Sequence, residues 1–127
     1  MNRKRGVCEE ARLEPAFAWG EDLFWEREEA GRLNTNVVRR IVHHSPSGFE
    51  IGFLGAGPRD LALNALNSLL APIGKKAVVK CMQGEVRLIV WDWHQEFLDA
   101  FLLNVNREAG SIRWGSIREW VKENLGE

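Results

Sequence analysis

The three histidines of the chain are its clearest candidates for acid–base or metal chemistry, and two of them, His43 and His44, are adjacent. Successive side chains of a strand point to opposite faces, so these two imidazoles are not expected to bind one metal ion together. His94 and the two cysteines lack the spacing of a zinc site. A triad of Ser45, His44 and an acid would be enzymatic, but Ser45 precedes Pro46 in a turn and has no nucleophile-elbow context. The sequence therefore predicts neither a metal site nor an enzyme.

A glycine-rich segment, Gly52 to Gly57, runs from a predicted strand into a predicted helix start, where backbone N–H groups can hold a phosphate. The segment lacks the Lys-Ser/Thr pair of a Walker loop and the glycine spacing of a dinucleotide-binding fingerprint. Two interpretations follow: a tight structural turn, which is favoured, and a site for a phosphate-bearing molecule. The residues assigned to the second interpretation are Gly55, Gly57, Arg59, His43 and His44.

The aromatic residues comprise six tryptophans and six phenylalanines without a tyrosine. Most of these rings are expected in the core, and a pair left exposed would suit a protein-binding hot spot or base stacking. The net charge of −1 disfavours a nucleic-acid partner, so a protein partner is favoured. The residues assigned to partner binding are Trp91, Trp93 and Trp114.

Two hairpins are predicted from strand and turn patterns. Residues 37–43 are rich in β-branched side chains, Ser45 to Gly48 has the chemistry of a type I turn, and the residues up to Phe53 alternate, so residues 37–53 are predicted to form one hairpin. Residues 77–82 and 85–91 are predicted to form the second. Around Leu23 the pattern fits a helix or a strand, and a strand is favoured.

Three helices are predicted from their start and stop signals. Pro58 suits the first turn of a helix that Pro72 ends, since a proline there loses no intrahelical hydrogen bond. Capping-box patterns predict a second helix from Asp92 to about Arg107 and a last helix from Ser116. The predicted fold class is therefore α+β: a small antiparallel sheet of two β-hairpins packed with about three helices.

Composition predicts one soluble globular domain, since the chain has 127 residues, 45% hydrophobic and 28% charged. A flexible N-terminal segment is expected over residues 1–12, which are polar and without a clear period, and a single α+β domain over residues 13–127. The apolar runs are too short for a transmembrane helix, and no apolar stretch follows the basic start, so neither a membrane nor a secretory signal is expected. Two cysteines, Cys8 and Cys81, favour a reducing cytoplasm.

Residues 44–66 read HSPSGFEIGFLGAGPRDLALNAL. This stretch resembles the H-S-P-x-G-F-E-x-G-x-x-G-x-G-P-x-x-L-A-L signature of a family of small uncharacterised bacterial, phage and plasmid proteins. Trp114, Ile117 and Trp120 resemble the closing W…I…W pattern of that family. Ile51 stands where the family usually has tryptophan, and Leu54 replaces a glycine. The resemblance implies a small soluble protein carried by mobile elements, and it supplies no catalytic residue.

These observations favour a non-catalytic accessory protein of a phage or mobile element that acts by binding another protein. Inhibition of a host defence complex is one concrete form of that function. The alternative is a small-ligand module that binds a phosphate-bearing molecule or nucleotide at the glycine-rich segment. No cofactor and no membrane partner are expected, a cytoplasmic location is expected, and a homo-oligomer is left open.

Overall fold

The computed structural model describes residue 13, residues 15–70 and residues 78–126. Within these ranges the chain forms three α-helices and two small antiparallel sheets, so the α+β prediction is confirmed. The segment predicted to be flexible, residues 1–12, lies outside them. None of the described helices is long and apolar enough to cross a membrane. The elements are β1 (Leu23–Arg27), β2 (Leu33–Thr35), α1 (Ala56–Leu70), β3 (Val78–Lys80), β4 (Glu85–Arg87), α2 (Leu88–Phe97), a π-helical turn (Leu98–Leu102), β5 (Ala109–Ile112) and α3 (Trp114–Leu125).

The larger sheet has the strand order β2–β1–β5. β1 and β2 form a hairpin with Trp25 opposite Thr35, and the N–H of Glu28 donates to the carbonyl of Arg32 at 2.8 Å where the turn begins. β5 comes from far along the chain and pairs with the other edge of β1, where Trp25 lies opposite Gly110. The strand favoured around Leu23 is therefore confirmed, and it is the central strand of this sheet.

The hairpin predicted over residues 37–53 is wrong, because none of the five strands lies in that range. The N–H groups of Arg40 and Ile41 both donate to the Oδ1 atom of Asn64 at 2.8 Å, and the amide of Asn64 donates back to the Ile41 carbonyl at 2.9 Å. An isolated β-bridge to Gln83 is the one strand-type contact described for this segment. The β-branched residues thus produce an extended segment whose partner is a helix side chain.

The second predicted hairpin is present, with shorter strands than predicted. β3 and β4 pair antiparallel with Val79 opposite Val86. The predicted start at Ala77 lies outside the described residues. The predicted end at Trp91 is wrong, because β4 passes directly into α2 at Leu88.

α1 forms the centre of the molecule, because eleven of its fifteen residues are buried. It begins at Ala56, so Pro58 lies in its first turn as the proline signal predicts, although the start comes two residues earlier. Its leucines join the core cluster of apolar side chains, which also includes residues of β1, α2 and α3. Two polar residues of the helix, Asp60 and Asn64, are buried as well. Both must find hydrogen-bond partners, and both find them in the extended segment before the helix.

The other two helices also begin before their predicted caps. α2 starts at Leu88 rather than Asp92, and the π-helical turn that follows ends at Leu102 rather than near Arg107. α3 starts at Trp114 rather than Ser116. In each case the residue before the helix is an extended arginine without a side-chain cap. The capping-box patterns were misleading because the chain enters each helix straight from a neighbouring strand.

The cap of α3 comes from a distant residue. The carboxylate of Asp22 accepts the N–H of Trp114 at 2.6 Å. It thereby satisfies one of the free donors at the helix start and places a negative charge at the positive end of the helix dipole. Ser116, the predicted cap, is exposed two residues inside the helix.

We expect Asp22→Ala to lower the free energy of unfolding by about 1 kcal/mol, the usual cost of losing a helix cap. Ser116→Ala serves as the control and should change it by less than about 0.5 kcal/mol, as an exposed substitution does. Urea denaturation followed by circular dichroism measures both. A larger loss in the serine variant than in the aspartate variant would contradict this account of the cap.

Candidate functional site

The carboxylate of Asp60 organises the turn that carries two of the histidines. It is fully buried and accepts three consecutive backbone N–H groups: those of His43 at 3.2 Å, His44 at 2.9 Å and Ser45 at 2.9 Å. A buried carboxylate is stable only when such donors surround it. The first turn of α1 therefore fixes the position from which His43 and His44 project.

His94, from α2, meets His44 at this turn. The Nε2 atoms of the two rings lie 3.2 Å apart, and the Nδ1 atom of His94 lies 2.7 Å from the carbonyl oxygen of Trp91. The indole of Trp91 stacks on the His44 ring with centroids 5.8 Å apart, and it meets the His43 ring edge-on at 5.0 Å. We call these four residues, His43, His44, Trp91 and His94, the histidine cluster.

The hydrogen bonds assign the protons of the His44–His94 pair. A carbonyl oxygen can only accept, so the Nδ1 atom of His94 carries its proton and donates to Trp91. The Nε2 atom of neutral His94 is then an acceptor, and the Nε2–H of His44 donates to it. Burial lowers the pKa of both His44 and His94, although the Asp60 charge opposes the effect. The pair is thus built from two neutral imidazoles.

The residues predicted to bind a phosphate separate into two groups. His43 and His44 lie with their ring centroids 5.0 Å apart, and Arg59 lies in the first turn of α1, next to the Asp60 that holds their turn. The Nε atom of Arg59 and the Nδ1 atom of His43 are buried without a partner in the described part of the chain. Gly55 and Gly57 instead lie where a neighbouring side chain leaves no room for a Cβ atom. A side chain on Gly55 would meet the Phe53 ring at 2.7 Å.

Gly57 allows two stretches of backbone to approach closely. A Cβ atom added there would lie 2.6 Å from the Cβ and 3.0 Å from the backbone nitrogen of Glu50. Its φ is not in the positive range, so the glycine is needed for space rather than for an unusual conformation. The Glu50 side chain thus fills the space beside Gly57, and the neighbouring carboxylate of Asp60 also disfavours an anion. The phosphate site stays a prediction that these contacts do not favour.

The three tryptophans assigned to partner binding lie in three different places. Trp91 belongs to the histidine cluster, Trp93 packs edge-on against Trp120 at 6.0 Å, and Trp114 packs against Trp19 at 4.7 Å. All three are half-buried, and no ring contact joins any two of them within the described residues. Partner binding through these three tryptophans therefore stays a prediction.

An open groove of about 670 Å³ is lined in part by β2, an edge strand of the larger sheet. Its lining comprises residues 30–35, which include β2 and are called its first wall, residues 37–39, and residues 47–50, which are called its second wall. Its volume is in the range of ligand-binding clefts in proteins. We call it the β2 groove. It lies apart from the histidine cluster, although the turn that begins at His44 leads into its second wall.

Two arginines hold the second wall in place. The guanidinium of Arg27, on β1, forms two hydrogen bonds to the carboxylate of Glu50, at 2.9 and 3.0 Å. The guanidinium of Arg39 donates to the carbonyls of Ser45 and Pro46 at 3.1 and 2.7 Å. A bidentate pair of this kind fixes direction as well as distance. The β2 groove is consequently formed before anything binds in it.

The first wall presents backbone groups without partners. In an antiparallel pair of strands, opposite residues alternate between hydrogen-bonded and non-hydrogen-bonded pairs. Glu28 and Arg32 form a hydrogen-bonded pair, so the pairs that Leu33 and Thr35 form with β1 are of the non-hydrogen-bonded type. The N–H and C=O groups of Leu33 and Thr35 therefore point away from β1. No described residue forms a backbone hydrogen bond to these groups. Between them, the Oδ1 atom of Asn34 is buried and has no described partner. Among the described residues, the edge of β2 is therefore left without a partner strand, and such an edge can pair with an additional strand.

Comparisons with protein-family models, with curated proteins and with solved structures gave no match. Two features of the site were missed in the sequence. His94 was not connected with His44, because 50 positions separate them and only the packing of α2 on α1 brings them together. The β2 groove was missed because residues 37–53 were predicted to form a hairpin, which would have removed its second wall.

We expect Gly57→Ala to lower the free energy of unfolding by about 1–3 kcal/mol, the usual cost of overpacking a close contact. Gly115→Ala is the matched control, since nothing lies within 4 Å of the added methyl group and alanine favours a helix. It should leave stability unchanged or raise it slightly. Equal destabilisation in the two variants, measured by urea denaturation, would contradict the close-approach role of Gly57.

We also expect the Tm of the protein, measured in buffer containing EDTA, to decrease as the pH is lowered. The pKa values of His44 and His94 are lowered in the folded chain from an ordinary value of 6.5, so the unfolded chain binds these protons more readily. The stability that the neutral His44–His94 pair contributes is fully present above pH 6.5, and it is lost as the pH falls below 6.5 towards the lowered pKa values. The Tm should decrease over this range, and His94→Gln should decrease less steeply. A Tm that does not depend on pH there would contradict the neutral pair.

Proposed function

We propose that this protein binds a partner protein by taking an extended segment of it into the β2 groove. The observation that carries the proposal is the free edge of β2, whose outward backbone groups at Leu33 and Thr35 have no described hydrogen-bond partner. A segment that pairs with them would become the fourth strand of the β2–β1–β5 sheet. Main-chain hydrogen bonds would supply affinity, and pockets for alternate side chains would supply selectivity.

The charges of the groove favour a segment with acidic side chains. Of its ionisable lining residues, Arg32 and Arg39 are cationic and exposed, whereas Glu50 is already paired with Arg27. Phe49, in the second wall, and Val38 supply half-buried apolar surface to the groove. Because side chains alternate along a strand, a segment that alternates acidic and apolar residues fits both features.

A preformed groove supports this mode of binding. Both walls are already held, one by the sheet and the other by the contacts of Arg27 and Arg39, so little ordering of the protein remains to be done on binding. The resemblance to phage and plasmid proteins suggests the context, a non-catalytic accessory protein that occupies a surface of its partner. Inhibition of a host defence complex remains one form of that proposal.

The proposal can be tested with a displayed library of random twelve-residue peptides. We expect it to yield acidic, extended binders, whose Kd is then measured by fluorescence anisotropy with synthetic peptide. Methylation of single backbone nitrogens of the best peptide should weaken binding at every second position, because only alternate N–H groups of a strand face its neighbour. Insensitivity to methylation at every position would contradict strand addition.

Steric block of the groove provides the protein-side test. Ser47→Trp places an indole in the second wall, where Ser47 is exposed, and should weaken peptide binding by about tenfold or more. Ser111→Trp, an exposed serine on the opposite edge of the same sheet, is the matched control and should bind as the unmodified protein does. Equal loss in both variants, no effect in either, or a library without binders would contradict the proposal.

A further inference from the structure

All three histidines of the chain converge on one place in the fold. The His43 and His44 rings are 5.0 Å apart, and the His44 and His94 rings 5.3 Å, measured between centroids. Two of these residues come from the turn held by Asp60, and the third comes from the middle of α2. His43 and His44 are neighbours in the sequence, so the convergence depends on one long-range contact, the 3.2 Å approach of the His44 and His94 Nε2 atoms.

The distance within the His44–His94 pair matches the spacing of two ligands on one metal ion. Imidazole nitrogens bind first-row transition metals at about 2.0–2.1 Å. The two Nε2 atoms are 3.2 Å apart. An ion bound to both at about 2.0–2.1 Å would therefore have an Nε2–ion–Nε2 angle of about 100°, which lies between the octahedral and tetrahedral values. The spacing of the two Nε2 atoms is therefore compatible with one shared ion.

The surroundings of His94 are those of a metal ligand. Its Nδ1–H donates to the carbonyl of Trp91, which fixes the ring and directs the Nε2 lone pair towards His44. On binding an ion, the proton of His44 would move from Nε2 to Nδ1, so that both rings stay neutral and both Nε2 atoms become ligands. No group of three or more His, Cys, Asp or Glu among the described residues forms a metal-binding arrangement, so water would complete the coordination.

We propose that His44 and His94 form a two-histidine site for a divalent transition-metal ion such as Zn²⁺ or Ni²⁺. Two nitrogen ligands suit these ions and not Mg²⁺ or Ca²⁺, which prefer oxygen. Water in the remaining positions leaves the ion open to a further ligand. The site is independent of the β2 groove, so either proposal can fail without the other.

Isothermal titration of the full chain with Ni²⁺ and with Zn²⁺, after removal of metal by EDTA, tests the site. We expect one ion per chain, no binding of Mg²⁺, and an affinity about tenfold or more weaker in His44→Gln and in His94→Gln. His43→Gln is the matched control and should retain the affinity, because the His43 ring is not part of the pair. Unchanged affinity in the first two variants, or equal loss in the control, would overturn the assignment.

Two measurements on the unmodified protein decide the question if the variants fail to fold. The ¹⁵N resonances of the histidine side chains should show Zn²⁺ shifting the Nε2 atoms of His44 and His94, with the proton of His44 now on Nδ1. Ni²⁺ should quench the fluorescence of Trp91, whose ring stacks on His44. Resonances and fluorescence that do not respond to the ions would overturn the proposal.

Discussion

The buried carboxylate of Asp60 is the interaction on which most of this architecture depends. It lies at the centre of the molecule and accepts three consecutive backbone N–H groups of the turn before α1. One turn of helix farther on, Asn64 binds the preceding part of the same segment through its side-chain amide. The two side chains together replace the neighbouring strand that an extended segment would otherwise need. Loss of either would leave buried donors without partners, which costs more than the bond itself contributes.

The turn from His44 to Gly48 connects the two candidate sites through this anchor. Its first residue belongs to the histidine cluster and its last residues form a wall of the β2 groove. The Ser45 N–H donates to the carboxylate of Asp60, and the Ser45 carbonyl accepts a hydrogen bond from Arg39. The Ser45 hydroxyl donates to the Gly48 carbonyl at 2.8 Å. Gly48 closes the turn with a φ of 126°, and its N–H donates to the Ser45 carbonyl at 3.3 Å, as expected for the turn predicted from Ser45 to Gly48. The turn is therefore a rigid element shared by both sites.

Local patterns in the sequence predicted what depends on local chemistry. The α+β class, the second hairpin, the turn at Gly48 and the proline in the first turn of α1 all follow from residue type and spacing. The failures share a different cause. Residues 37–53 were assigned to a hairpin because β-branched side chains favour extended backbone, but such a preference does not say whether a strand or a helix side chain will satisfy the backbone. The cap predicted for α3 failed for the same reason, since Asp22 reaches Trp114 across 92 positions.

The position of β1 has a consequence for how the chain folds as it is synthesised. β1 pairs with β2 directly after it, but its other edge stays unpaired until β5 has emerged, more than eighty residues later. A two-stranded hairpin is marginally stable alone, and an unpaired edge invites the wrong neighbour. During that interval α1 and the segment that Asp60 and Asn64 hold are already available to fold, and their contacts span only 15 to 24 positions. Among the described strands, the last to leave the ribosome tunnel thus closes the sheet that the first begins.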